Sequence, residues 1–182
     1  YRNSGGSIIR LDFVSELTNN SPAEVNLGSF GFANEIRYVE LIIESDNLIM
    51  VLSLNRGMNL WRVNYGDSFD TDIIKTTAPE ADLNRLMGID IKIINNNYIV
   101  HSVALNAAKI MRLNFGSSLL NIPIWEATYD FTGPTTSHDI ELIREGDNFY
   151  GYVTNPSSSP IVFDFGDLTT VQQPVEINFA TS

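Results

Sequence analysis

The chain of 182 residues contains no cysteine and only two histidines. The absence of cysteine excludes a disulfide framework, a thiolate metal site and a cysteine nucleophile. Positive charge is also scarce, because 11 Lys and Arg stand against 22 Asp and Glu, and the formal net charge is −11. A surface of this sign does not attract the phosphate backbone, so we expect no nucleic-acid partner.

Long apolar runs are missing as well. No stretch approaches the roughly 20 residues that a membrane-spanning helix needs, so we expect no membrane insertion. The hydrophobic fraction of 43% is nevertheless that of a packed domain. The chain starts at Tyr1 without a signal peptide, and we therefore expect it to be a processed or excised piece of a longer protein.

A short motif with an aromatic residue at its fourth position recurs four times. Its copies are 10–13 (RLDF), 62–66 (RVNYG), 112–116 (RLNFG) and 162–166 (VFDFG). The aromatic positions 13, 65, 115 and 165 differ by 52, 50 and 50. Self-similarity at a fixed period of this size predicts a repeat architecture.

Between the copies of this motif lie pairs of apolar runs that are separated by short polar turns. The turns contain Asn47, Asn97 and Asn148. Apolar positions that alternate, with many β-branched and aromatic residues, predict strands, and Asn, Asp and Gly suit the turns. In the third unit we predict strands at 128–131, 139–143, 149–154 and 160–165.

A unit of about 50 residues with four short strands is typical of a β-propeller blade. We therefore predict an all-β fold in which residues 1–182 form a partial β-propeller domain of about three and a half blades. Closed propellers have about four to eight blades, and fewer would leave apolar faces exposed, so we expect a larger propeller. An open β-solenoid of the same repeats is the alternative, and a β-sandwich is less favoured.

Residues 112–123 (RLNFGSSLLNIP) and 26–28 (NLG) resemble the "RLDFGNSLxNxP" element, and the strand that follows it, in a family of repeat proteins from Bacteroidetes. Residues 139–153 (DIELIREGDNFYGYV) look like their "DGxNWYGFV" hairpin. The similarity covers nearly the whole chain, but Val14 replaces the motif glycine, and 67–86 lack the proline and the NLG strand.

The resemblance implies a secreted or cell-surface protein that is exported by a type IX route, as in the adhesins of gliding bacteria. We therefore expect a non-enzymatic binding or display module in an extracellular location. Its expected partners are proteins or glycans at the cell surface and the secretion or motility machinery. A passive spacer in a surface filament is a second interpretation.

Carboxylates at one repeat position are the main candidate site. Aligning the three turn asparagines brings Glu40, Asp90 and Glu141 to the same position on the first strand of each hairpin. If those strands are innermost, the carboxylates would ring a channel and bind Ca²⁺ through oxygen ligands. The alternative function is then a propeller enzyme of the lactonase or glycoside-hydrolase type. The simpler interpretation is that these are solvated strand residues.

Two further sets of residues are weaker candidates. In the resemblance, His138 takes the place of a histidine that often precedes the inner strand, and Asp139 follows it as a second binding candidate. Asp67, Asp70 and Asp72 form an acidic loop that lacks the glycine and the terminal glutamate of an EF-hand, so an irregular Ca²⁺ site competes there with a plain turn. No catalytic triad or metal-spaced histidine pair is present.

Overall fold

The computed structural model describes residues 8–12, 21, 23–28, 36–45, 47–54, 59–64, 72–77, 86–105, 107–133, 135–156 and 159–177. All regular structure in these ranges is β, which confirms the all-β prediction. Within them no helix has the length and apolar character needed to cross a bilayer.

The strands form four antiparallel sheets in chain order. A terminal pair consists of β1 (Ile8–Asp12) and β2 (Ala23–Gly28). The first sheet contains β3 (Ile36–Glu44), β4 (Asn47–Leu54), β5 (Asn59–Asn64) and β6 (Asp72–Thr77). The second contains β7 (Leu86–Ile94), β8 (Asn97–Ala104), β9 (Lys109–Asn114) and β10 (Ile124–Asp130). The third contains β11 (Asp139–Glu145), β12 (Asn148–Thr154), β13 (Ile161–Gly166) and β14 (Val175–Ile177).

The predicted grouping of strands in the third unit was wrong by one strand. Residues 128–131 were expected to share a sheet with 139–143, but Thr128 lies in β10, which pairs with β9 of the second sheet. The fourth strand of the third sheet is β14, which pairs with β13. A meander pairs each strand with its neighbours in sequence, and the spacing of the strands alone does not show where one sheet ends.

The first two strands of each complete sheet form equivalent hairpins. Their closing pairs are Glu44 with Asn47, Ile94 with Asn97, and Glu145 with Asn148. Left-handed turn residues connect the strands, with φ angles of 48° at Ser45, 50° at Asn95, 62° at Asn96 and 62° at Gly146. Positive φ in two-residue turns matches the twist of a hairpin. Glu40, Asp90 and Glu141 each stand four residues before the last strand residue, so they occupy the same position.

The recurrent motif encodes a local turn at the end of the third strand. Its copies include residues of β1, β5, β9 and β13. In the second sheet the Asn114 carboxamide oxygen accepts a bond from the Gly116 N–H at 2.7 Å, and in the third Asp164 accepts from Gly166 at 2.8 Å. Both glycines have positive φ, 65° and 66°, which explains why the motif ends in glycine.

Two hydrophobic clusters fill the spaces between neighbouring sheets. The cluster between the first and second sheets includes Ile49, Val51, Ile89, Ile91 and Phe115. The cluster between the second and third includes the following buried residues: Val103, Ile110, Ile140, Leu142, Phe163 and Phe165. The motif aromatics Phe115 and Phe165 are therefore core residues. Because the second sheet is covered on both sides, most residues of its strands β7, β8 and β9 are buried.

The first strands of neighbouring sheets approach one another at backbone distance. The Gly88 N–H of β7 donates to the His138 carbonyl, just before β11, at 3.0 Å, and the Gly88 carbonyl accepts from the Ser102 hydroxyl at 2.8 Å. A Cβ atom at position 88 would overlap the backbone of Asp139. Glycine is therefore required here by close approach, although Tyr38 and Asp139 occupy the same hairpin position in the other sheets.

Replacing Gly88 with alanine tests this contact. We expect Gly88→Ala to lower the free energy of unfolding by about 1–3 kcal/mol, because β7 and β11 must separate to admit the methyl group. Urea unfolding followed by circular dichroism measures the change. Glu145→Ala, at the exposed end of β11, is the control and should change stability by less than about 0.5 kcal/mol. Equal effects of the two substitutions would contradict the close contact.

Candidate functional site

The three carboxylates at the repeat position lie on neighbouring strands. Glu40, Asp90 and Glu141 are on β3, β7 and β11, and β7 contacts both of the other strands. We use the name inner-strand cluster for these three residues together with Tyr38, Lys92 and Asp139, whose charges act on one another. The cluster joins the three complete sheets at one edge.

Asp90 is the buried centre of the inner-strand cluster. Its Oδ2 accepts a hydrogen bond from the Leu142 N–H of β11 at 2.9 Å, and its Oδ1 accepts one from Lys92 Nζ at 2.7 Å. The side chain thus reaches from the second sheet to the unpaired edge of the third. A buried carboxylate with a backbone donor and an ammonium partner is a satisfied structural group.

Lys92 supplies positive charge between the sheets. Besides its bond to Asp90, its ammonium lies 3.8 Å from Glu141 Oε1. Lys92 is two residues after Asp90 on the same strand, so both side chains emerge on one face. The ammonium therefore takes the position between two carboxylates that a bound cation would take.

Tyr38 and Glu40 lie near the remaining negative charge of the inner-strand cluster. Burial raises the pKa of Tyr38 to about 12, and the charges of Asp139, Glu40, Glu141 and Asp90 add to the effect. Burial also raises the pKa of the Glu40 carboxyl, as do the nearby Asp90 and Glu141, while Lys92 opposes the shift. Negative charge on this side of the cluster is thus only partly compensated.

The candidates at the start of β11 have different surroundings. Asp139 is half-buried, and burial raises the pKa of its carboxyl, partly offset by the hydrogen bond that Oδ1 accepts from the Ile140 N–H at 2.9 Å. The side chain of His138 is exposed, whereas its backbone N–H donates to the Thr154 carbonyl and its carbonyl accepts from Gly88. His138 therefore joins two sheets through its backbone, and its imidazole does not contribute to that link.

The predicted cation sites have the following positions. Among the described residues, no three His, Cys, Asp or Glu side chains converge closely enough to hold a metal ion. Asp67 and Asp70 lie outside the described residues, and Asp72 is the first residue of β6. Ca²⁺ binding at that loop stays a prediction from the sequence.

A row of polar side chains crosses the buried face of the second sheet. Asp90 is opposite His101, which is opposite Arg112 on the next strand. Arg112 donates to Glu126 Oε2 at 2.6 Å and to the Leu168 carbonyl at 2.8 Å. His101 is fully buried, with its ring 5.2 Å from that of Phe165. Within the described residues neither of its ring nitrogens has a hydrogen-bond partner.

Burial determines the charge state of His101. Loss of hydration lowers the pKa of its imidazole to about 3, and the positive charges of Arg112 and Lys92 act in the same direction. The ring is therefore neutral at physiological pH and packs as an apolar group. The equivalent hairpin positions carry Val51 and Tyr152, so the fold does not require histidine there.

Several members of this region were not identified by the sequence reasoning. Lys92 had a usable signal, because a lysine two residues from a strand carboxylate lies on the same face. Gly88 also had one, since a glycine inside an apolar strand indicates close backbone approach. The burial of Arg112 and Glu126 had none, because only the packing of the third sheet encloses them.

Comparisons of the chain with protein-family models and with curated proteins found no match. The geometry described above is therefore the basis for assigning a function.

Substitution of Asp90 measures its structural contribution. We expect Asp90→Ala to lower the free energy of unfolding by about 1–3 kcal/mol, because the buried Leu142 N–H loses its acceptor. Asp90→Asn keeps an acceptor oxygen and should cost less. Glu141→Ala is the matched control, because that side chain is 59% exposed and a surface ion pair contributes about 0–1 kcal/mol. If Asp90→Ala is no more costly than Glu141→Ala in urea unfolding, the structural role is wrong.

The buried imidazole predicts loss of stability in acid. Between pH about 6.5 and about 3 the unfolded chain binds a proton at His101 that the folded chain does not. Stability should therefore fall as the pH falls through this window, by up to about 1.4 kcal/mol per pH unit.

The variant His101→Val, which copies the residue of the first sheet, should remove this component. The measurement is the difference in unfolding free energy between variant and wild type from pH 7 to pH 3.5. His138→Val, at the exposed histidine, is the matched substitution for comparison. A constant difference for His101→Val would contradict the buried neutral imidazole.

Proposed function

We propose that the three complete sheets are successive blades of a β-propeller, in an array of about three and a half blades that belongs to a larger propeller. Three observations support this proposal. The sheets are four-stranded meanders with a period of about 50 residues, their first strands lie side by side, and hydrophobic clusters join each sheet to the next.

We further propose that the domain is a non-enzymatic binding or display module of a large secreted or cell-surface protein. The observation that carries this proposal is the internal use of the polar cluster. Both oxygens of Asp90 are bonded, and Lys92 is paired with two carboxylates. An enzyme of the lactonase or glycoside-hydrolase type would need these groups free for substrate or metal, so the enzymatic alternative is not favoured.

The rim that carries the hairpin turns is the proposed binding surface. In each meander the turn after the first strand and the loop before the fourth strand lie at the same end. The Leu119 N–H of the β9–β10 loop donates to Glu44 at the end of β3, which aligns this rim across two sheets. The rim exposes Asn95, Asn96 and Asp147 together with Ile122 and Val171, of which Ile122 is 84% exposed.

Polar amides beside exposed aliphatic groups suit a protein or glycan ligand. The sequence resemblance suggests partners at the cell surface, with export by a type IX-like route, and makes the secretion or motility machinery a further candidate. The acidic net charge favours solubility in an extracellular setting.

Retention on immobilised glycans and on cell-envelope fractions of gliding Bacteroidetes tests the proposal. We expect saturable binding by the wild-type chain and at least a tenfold loss for Ile122→Asp, which places a charge on the exposed rim. Leu41→Asp, on the face of β3, is the matched control and should bind like the wild type. Absence of binding to every glycan and fraction, or equal binding by the two variants, would contradict a binding function at this rim.

A further inference from the structure

One side of β3 is exposed at positions that are buried in the other two complete sheets. The equivalence of the hairpins aligns Val39 with Ile89 and Ile140, and Leu41 with Ile91 and Leu142. The exposed fractions are 43%, 0% and 0% at the first position and 54%, 8% and 1% at the second. Within the part of the chain that the structure describes, the first sheet therefore lacks a cover that the second and third sheets have.

In the second and third sheets the cover is known. Ile89 and Ile91 pack against Ile49 and Val51, with Tyr38 and Ile42 alongside, and these four residues belong to the first hairpin of the first sheet. Ile140 and Leu142 share a cluster with Met87 and Val103, which belong to the first hairpin of the second sheet. In both cases the first hairpin of the preceding sheet covers the first strand of the next sheet.

Among the described residues, the strands that precede β3 are β1 and β2, and they include no equivalent of a first hairpin. The motif copy at 10–13 places β1 as the equivalent of β5, β9 and β13, the third strands of the complete sheets. Each of those strands pairs with a second strand on one side and a fourth strand on the other. Among the described residues β1 pairs only with β2, so the edge that would receive a second strand is open.

The edge of β1 that pairs with no described strand and the exposed side of β3 thus lack the same element. In the complete sheets that element is the first hairpin of the preceding sheet. We propose that a β-hairpin with the pattern of the repeat's first two strands, supplied by polypeptide outside these 182 residues, pairs with β1 and covers Val39 and Leu41. Strand addition at the edge supplies main-chain hydrogen bonds, and burial of the aliphatic side chains supplies apolar contact. This inference rests on the proposed propeller array and the equivalence of its sheets, and it is independent of the binding function proposed for the rim.

The occupant has a defined chemistry. The first hairpins of this chain span 19, 19 and 16 residues, at Ile36–Leu54, Leu86–Ala104 and Asp139–Thr154. The third has its own exposed apolar groups on the face that would meet β3, because Ile143 and Tyr152 are 53% and 38% exposed. These two residues align with Ile42 and Val51, which provide the cover in the first sheet.

A cyclic peptide of residues 139–154, closed by a disulfide between cysteines added at its ends, is the probe. We expect saturable binding of the labelled peptide to the full 182-residue chain in a fluorescence anisotropy titration. Binding should weaken at least tenfold for Leu41→Asp, and Val39→Asp serves as a second variant of the same surface. Ile122→Asp, an exposed isoleucine at the rim, should leave peptide binding unchanged.

Two further measurements identify the place and the nature of the contact. Peptide binding should slow hydrogen exchange of the Ile8–Asp12 amides, and a control peptide with Ile143→Asp and Tyr152→Asp should not bind. No saturable binding, equal binding to Leu41→Asp, or unchanged exchange in β1 would overturn the proposal. Self-association of the wild-type chain in sedimentation, abolished by Leu41→Asp, would assign this face to a second copy and overturn it as well.

Discussion

Contact between the first strands of neighbouring sheets is the constraint on which the rest of the structure depends. The strands β7 and β11 meet through the Gly88 N–H and the His138 carbonyl, and again through Asp90 and the Leu142 N–H. These two bonds fix the direction and the register of one sheet against the next. With these bonds in place, the aliphatic side chains of two facing sheets pack in one hydrophobic cluster, and the turns of all three hairpins lie at one rim.

This constraint also explains the polar groups inside an otherwise apolar junction. An edge strand carries unpaired N–H groups, and burying them without acceptors is costly. Asp90 removes one such cost, and Lys92 neutralises the carboxylate that does so. Arg112 and Glu126 do the same for the loop around Leu168. Asp90, which belongs to the candidate site predicted from the sequence, thus satisfies the backbone where two sheets meet.

Much of this arrangement could be predicted from the sequence, because each copy of the repeat encodes the same structure. The 50-residue period and the turn asparagines identified the hairpins and brought Glu40, Asp90 and Glu141 to one position. The strand grouping failed because β10 and β11 are separated by a connection whose sequence does not reveal which sheet each strand joins. The partners of Asp90 lie on two different sheets, and single-sequence periodicity carries no information about contacts of that kind. The neutral state of His101 likewise results from its enclosure by Phe165 and not from its own neighbours in sequence.

The turn built by Asn114 with Gly116, and again by Asp164 with Gly166, uses only atoms within three residues of chain. The segment that follows supplies one further bond in each sheet, from Asn121 Nδ2 to the Phe115 carbonyl at 2.9 Å and from Gln172 Nε2 to the Phe165 carbonyl at 3.4 Å. Insertions in the rim loops are therefore compatible with the turn where they leave this amide side chain in place. Duplication of a 50-residue unit would add one more sheet that continues the array, since the unit contains the residues that form this turn.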